Sequence, residues 1–210
     1  MSELVIYIFD LFGTMVFAVT GALCGIRIKL DLLGVIVFGC TVGVGGGMLR
    51  DVLIGAIPVA ALTNESYLVL CILTGLALFF LAPFLGNVKK IIPYCDAVGL
   101  GVFTAIGAAK GCALGLTPIG VILSGVLTAV GGGVIRDIMA RSIPVVLTSD
   151  FYATAALLGG ILYFVLYRAA VFPPFAVFLI VFIFVTGLRL AAMHYKLHLP
   201  VAKSEEESNE

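Results

Sequence analysis

Charge is scarce in this chain. Asp, Glu, Lys and Arg make up 11% of its 210 residues. A soluble globular domain carries about 25%, so a soluble enzyme is excluded. Twelve acidic residues balance twelve basic ones. No net basic field exists to draw in phosphates, which excludes a nucleic-acid binder. Hydrophobic residues reach 62%, and the mean hydropathy of +1.23 excludes a disordered chain.

Metal-binding and catalytic patterns are missing as well. The five cysteines are odd in number, lie in or beside apolar stretches and form no CxxC. They support neither a disulfide framework nor a zinc site. They read as small apolar helix residues. His194 and His198 stand four apart, but no third ligand is evident, so they read as a solvated helix end. No Ser-His-Asp set or paired-carboxylate catalytic site is visible. The glycine triplets lack the GK[ST] ending of a phosphate-binding loop. No enzyme, no metal and no cofactor is expected.

What is present is a succession of apolar runs. They fall at 4–26, 31–59, 66–86, 93–112, 118–145, 151–168 and 172–193. At about 20 residues per span, they predict an all-α polytopic membrane protein with seven transmembrane helices. Met1 to Glu3 carry no basic residue, and the run that follows is long enough to span. It is expected to be a retained first helix rather than a signal peptide. Seven spans place Arg27, Lys29, Lys89, Lys90, Arg136, Arg141, Arg189, Lys196 and Lys203 on one side, against Arg50, Lys110 and Arg168 on the other. The excess predicts an outside N-terminus and a cytoplasmic C-terminus. Residues 196–210 are expected to form a disordered cytoplasmic tail.

The two halves match at an offset of 86 residues without a gap. Asp10 aligns with Asp96, Phe17 with Phe103, Gly45-Gly46-Gly47 with Gly131-Gly132-Gly133, Arg50-Asp51 with Arg136-Asp137, and Ile57-Pro58-Val59 with Ile143-Pro144-Val145. Each copy holds three spans, so the second enters the membrane from the opposite side. The expected plan is 3+3+1: a first repeat over 1–86, an inverted repeat over 87–170 and a seventh helix over 171–195.

The doubled GGGxxRD carries the chemistry. Three glycines cost roughly 3 kcal/mol of helix propensity relative to alanine. Spans 2 and 5 are therefore expected to be broken at Gly45–Gly47 and Gly131–Gly133, about 21 Å into the membrane, and to cross near its centre. Loosened carbonyls there would be ligands for a dehydrated monovalent cation. Arg50, Asp51, Arg136 and Asp137 follow one turn later. A charge at that depth costs about 2.5–3.5 kcal/mol, so these four need partners or water. One arrangement sets Arg50 against Asp137 and Arg136 against Asp51. They either lock the bent helices or line a pathway.

Asp10 and Asp96 sit in the first helix of each copy, Asp96 near the interface, for pairing or ion contact. Lys110 has Cys24 as its counterpart. It either snorkels to the interface or gates. Pro58 and Pro144 are expected to end the broken helices. Gly21xxxGly25 and Gly107xxxGly111 read as helix-packing motifs.

Two GGGxxRD copies, each followed by IPV, in a 3+3+1 chain of this length resemble the prokaryotic trimeric intracellular cation (TRIC) channels. The resemblance covers about 4 to 195. It implies a homotrimer in the inner membrane, with one pore per subunit conducting monovalent cations, K+ or Na+, chiefly potassium. It implies that the second and fifth helices line the pore, bent at Gly45–Gly47 and Gly131–Gly133. Arg50, Asp51, Arg136 and Asp137 then stand beside the pathway, and membrane lipid surrounds the protein as a partner. The Lys-Glu-Val triplet of animal members is absent, so their regulation is not carried over. Bacterial sequences of this kind are also grouped as a glycine transporter family. A secondary transporter of glycine or another small zwitterion is the alternative, and a membrane scaffold the third reading.

Overall fold

The computed structural model describes residues 3–148 and 151–197. Among them every regular element is a helix. In chain order they are α1 (Glu3–Arg27), α2 (Leu32–Leu53), α3 (Ala60–Thr63), α4 (Ser66–Leu81), a 3-10 turn (Ala82–Phe84), α5 (Val88–Ala113), α6 (Pro118–Met139), α7 (Val145–Thr148), α8 (Ala153–Ala169) and α9 (Pro174–Tyr195). Six helices are long and apolar enough to cross a membrane, whereas the expectation was seven. The remaining apolar helix, α8, has 17 residues. Residues 198–210, most of the expected tail, lie outside the described residues, as does His198.

The ends of these helices repeat as the sequence does. Asp31 accepts from the Gly34 N–H at 2.7 Å to start α2, and Thr117 Oγ1 accepts from the Gly120 N–H at 3.2 Å to start α6. Such caps satisfy donors that the first turn leaves free. Two residues past α1, α2, α5 and α6 the backbone turns left-handed, at Lys29 (φ 62°), Gly55 (φ 71°), Gly115 (φ 67°) and Arg141 (φ 54°). Each end closes with the same pair of hydrogen bonds. After α2 these run from Gly55 N–H to Val52 O and from Ala56 N–H to Asp51 O. After α6 they run from Arg141 N–H to Ile138 O and from Ser142 N–H to Asp137 O. This closure favours glycine at the left-handed position. It ends α2 and α6 before Pro58 and Pro144, so the prolines do not terminate them as expected.

The glycine triplets do not break their helices either: α2 runs unbroken through Gly45–Gly47 and α6 through Gly131–Gly133. Their use is close approach. A Cβ on Gly46 would meet Thr128 O and one on Gly132 would meet Val42 O at 2.5 Å. Neighbours outside the triplets agree. A Cβ on Gly45 would meet Ile135 Cδ1 at 2.8 Å, and one on Gly131 would meet Leu49 Cδ2 at 3.5 Å. Thr128 is the repeat partner of Val42, and Ile135 of Leu49, so each contact is returned by its counterpart. That reciprocity is the mark of a two-fold contact. Phe17 and Phe103 face each other across the same line, centroids 5.0 Å apart, with Phe103 over Gly13 and Phe17 over Gly99. α5 is the central helix. It packs against α1, α6, α8 and α9, with Leu100, Val102, Ala105 and Ala108 fully buried.

Two predictions follow from this geometry. Gly46→Ala and Gly132→Ala should each lower stability by about 1–3 kcal/mol through overpacking. Gly47→Ala should hold or gain up to about 1 kcal/mol, since its Cβ would find nothing nearer than Arg50 Nη2 at 3.8 Å. Thermal unfolding in detergent separates the three; if all three raised the melting point, close approach would not be the role of Gly46 and Gly132. At the turns, Lys29→Gly should add about 1 kcal/mol by relieving the left-handed backbone, and Gly115→Ala should cost about as much. Equal melting points for both variants would show the turns to be indifferent to residue type.

Candidate functional site

The buried charges lie just beyond the α2–α6 crossing. Arg50, Asp51, Arg136 and Asp137 are all buried, Asp51 to 1% exposure. The crossed pairing, one arrangement that the sequence left open, does not form among the described residues. Arg50 Nε donates to its neighbour Asp51 Oδ1 at 2.8 Å, and Arg136 Nε donates to Asp137 Oδ1 at 2.9 Å. Adjacent helical residues point about 100° apart. The arginine stem is long enough to swing its Nε back across that angle. The second carboxylate oxygen faces the chain that returns after IPV. Asp51 Oδ2 accepts from the Ala60 N–H at 3.2 Å and Asp137 Oδ2 from the Val145 N–H at 2.8 Å. Each aspartate thus caps the short helix α3 or α7, which explains why RD and IPV travel together.

The other expected residues come to the same place. Lys110 Nζ donates to Asp51 Oδ1 at 2.7 Å, so it neither snorkels free nor stands alone. Asp51 therefore holds two cations. Asp96 is 4% exposed and buried in α5; it accepts from Arg136 Nη1. Asp10 accepts instead from the Tyr67 hydroxyl at 2.7 Å. The structure thus gathers Asp10, Arg50, Asp51 and Lys110 in one nest and Asp96, Arg136 and Asp137 in another.

Two tyrosines complete the nests, and sequence reasoning missed both. Tyr67 belongs to the first. Tyr152, 2% exposed, stands in the second beside Asp96, with the Arg189 guanidinium carbon 5.2 Å above its ring. The gapless offset of 86 does not pair them. A one-residue slip after IPV, matching Asn64-Glu65-Ser66-Tyr67 with Ser149-Asp150-Phe151-Tyr152, does.

The first nest opens onto space. Asp10, Arg50, Tyr67 and Lys110 line a cleft of about 550 Å³ between α1, α4 and α5, with Ile6 and Ile106 among its apolar walls. A smaller cavity of about 20 Å³ adjoins it, lined by Asp10, Gly47, Arg50, Asp51 and Phe103 among others. It has room for about one water-sized body. Because the triplets are helical, their carbonyls belong to the helix and are not freed to hold an ion. Among the described residues, no three His, Cys, Asp or Glu side chains group as a metal site.

The chain matches a family model described as glycine transporter, over residues 7–83 and 93–168. The inner membrane protein YadS of Escherichia coli strain K12 is 35% identical over 204 residues, 97% of this chain and 99% of that protein. A membrane protein of Vibrio cholerae serotype O1 is 43% identical over 157 residues, 74% of this chain and 66% of that protein. Among solved structures, the TRIC trimeric intracellular cation channel orthologue from Rhodobacter sphaeroides superposes with a TM-score of 0.88 at 33% identity, covering 93% of this chain and 100% of that one. A structure solved for conductance through TRIC cation channels gives 0.86 at 38% identity, covering 94% and 97%.

The ion-pair geometry generates a prediction. Asp137→Ala strands the Arg136 Nε and the Val145 N–H in a buried nest and should cost about 3–5 kcal/mol. Lys110→Met removes a half-exposed cation and leaves Asp51 with Arg50, so its cost should stay near or below about 1 kcal/mol. Thermal melts of the purified proteins compare them; a Lys110→Met loss as large as that of Asp137→Ala would contradict the ranking.

Proposed function

Because the chain belongs to the glycine transporter family, and because it has the fold of prokaryotic TRIC channels, we propose that it is a cation channel of a bacterial inner membrane. Its permeant ions are monovalent, chiefly potassium. The observation that carries the reading is the close likeness over almost the whole chain to solved TRIC cation channels, together with the charged cleft between α1, α4 and α5. Each subunit of a homotrimer holds one pore, with α2 and α6 along its wall. In this reading α8 completes seven spans. Its 17 residues reach about 26 Å, close to the hydrocarbon thickness. The repeats occupy 1–86 and 87–170, α9 stands outside them, the N-terminus lies outside and the C-terminus is cytoplasmic.

The pathway residues act through charge. Asp10 and Asp51 offer carboxylate oxygens to a cation entering the cleft. Arg50 and Lys110 neutralise Asp51 and keep that attraction weak, which suits an ion that must also leave. Arg136, Asp137 and Asp96 form the opposite constriction. The glycines contribute the narrow crossing rather than carbonyl ligands. The alternative, transport of glycine or another small zwitterion, draws on the family description alone. The solved structures favour the channel.

Purified protein in a planar bilayer under a potassium chloride gradient should show discrete unitary steps reversing near the potassium potential. Asp51→Asn and Asp137→Asn, taken from folded trimers, should change their conductance. Wild-type currents from both variants would remove these residues from the pathway. A silent bilayer combined with saturable glycine uptake into the same proteoliposomes would replace the channel with the transporter.

A further inference from the structure

The two nests are built from repeat partners, yet their hydrogen bonds differ at two points. In the second nest Arg136 Nη1 holds Asp96, while the Tyr152 hydroxyl is buried without a hydrogen-bond partner. In the first nest Tyr67 holds Asp10, while Arg50 Nη1 is buried without a partner. Each orphaned atom is the equivalent of the atom that is satisfied in the other copy. Both nests keep the arginine Nε on its own aspartate. The difference is therefore confined to one question: whether the carboxylate of the first helix is held by tyrosine or by arginine.

We infer that the halves display two forms of one gate, and that Tyr67 and Tyr152 are positioning residues that set it. In the released form the tyrosine takes the helix carboxylate away from the arginine, and a cleft opens beside it, as around Asp10. In the clamped form the arginine takes the carboxylate, as Arg136 takes Asp96. Both forms are within reach in each half. Asp10 and Arg50 line the same cleft and the same small cavity. Tyr152 already faces Asp96, and a Cβ on Gly133 would lie 2.9 Å from its hydroxyl and 3.7 Å from Asp96 Oδ1. An orphaned buried donor is costly, but each form orphans one, so the exchange of partners trades one such cost for another. The structure holds the first gate released and the second clamped. Conduction requires the second to release too, with Tyr152 donating to Asp96. The assignment of released as conducting rests on the channel reading; the exchange of partners does not.

Tyr152→Phe tests the gate, since the lost hydroxyl makes no hydrogen bond in the clamped form. Its melting point should match wild type. Its open probability should fall about fivefold, the worth of one ordinary hydrogen bond, at unchanged unitary conductance. Wild-type open probability in this variant would overturn the gate. A second measurement does not depend on conduction. Asp10 in wild type and Tyr67→Phe is labelled in vesicles with a water-soluble carbodiimide and an amine, and read by mass spectrometry. Capture by Arg50 should slow Asp10 labelling about fivefold. A carboxylate merely freed of its tyrosine would label faster, and that result would overturn the exchange. If wild type shows no unitary steps, the channel reading fails and the labelling alone decides the exchange.

Discussion

The approach of α2 to α6 at Gly46 and Gly132 is the constraint on which the rest of the structure depends. Helix axes can come this close only where neither helix carries a Cβ. The crossing sets the depth of everything that follows it. One turn later on each helix an Arg-Asp pair emerges, and it emerges buried within the protein, with Lys110 reaching Asp51 from the other half. A wider crossing would leave four charges facing hydrocarbon. The narrow one gives each of them a protein partner, at 6% exposure or less.

Burial of charge then organises the chain around the crossing. Each aspartate is spent twice, once on its arginine and once on a backbone N–H of the returning loop. A single carboxylate thereby fixes a side chain and a chain path together. Lys110 breaks the symmetry, because the matching position in the other copy is Cys24. The added cation leans on Asp51 beside the open cleft, while in the other copy Arg136 turns to Asp96. Two copies of one motif thus reach different electrostatic balances, with Lys110 beside the first and Arg189 of α9 over Tyr152 in the second.

Much of this was legible in the sequence. The repeat was visible because its identities fall on residues with no substitutes, such as Gly46 and Gly132 at the crossing and Arg50 and Arg136 in the nests. The misreadings have physical causes. A glycine triplet lowers helix propensity and also permits close packing; the tertiary contact decides between them, and here packing won. The Arg50–Asp51 pair was not legible, because adjacent helical residues point apart and only the reach of the guanidinium brings them together. Pro58 drew attention as a helix stop although Gly55 already performs that task. Tyr67 and Tyr152 escaped because loop length differs by one residue between the copies, and loops absorb such slips without disturbing what they position.

The left-handed turns after the helices bear on how the chain acquired its direction in the membrane. Lys29 and Gly115 are repeat partners, and so are Gly55 and Arg141. At each pair one copy keeps glycine, which the backbone prefers, and the other carries a basic residue at a conformational cost of about 1–2 kcal/mol. In the proposed orientation both basic residues face the cytoplasm and both glycines face outward. A duplicated protein whose halves were still alike would have had no reason to insert one way up rather than the other. In that orientation, divergence at these four turns adds two positive charges to the cytoplasmic face and none to the other. Backbone comfort has been traded for a topological label, written twice and in opposite senses in the two halves.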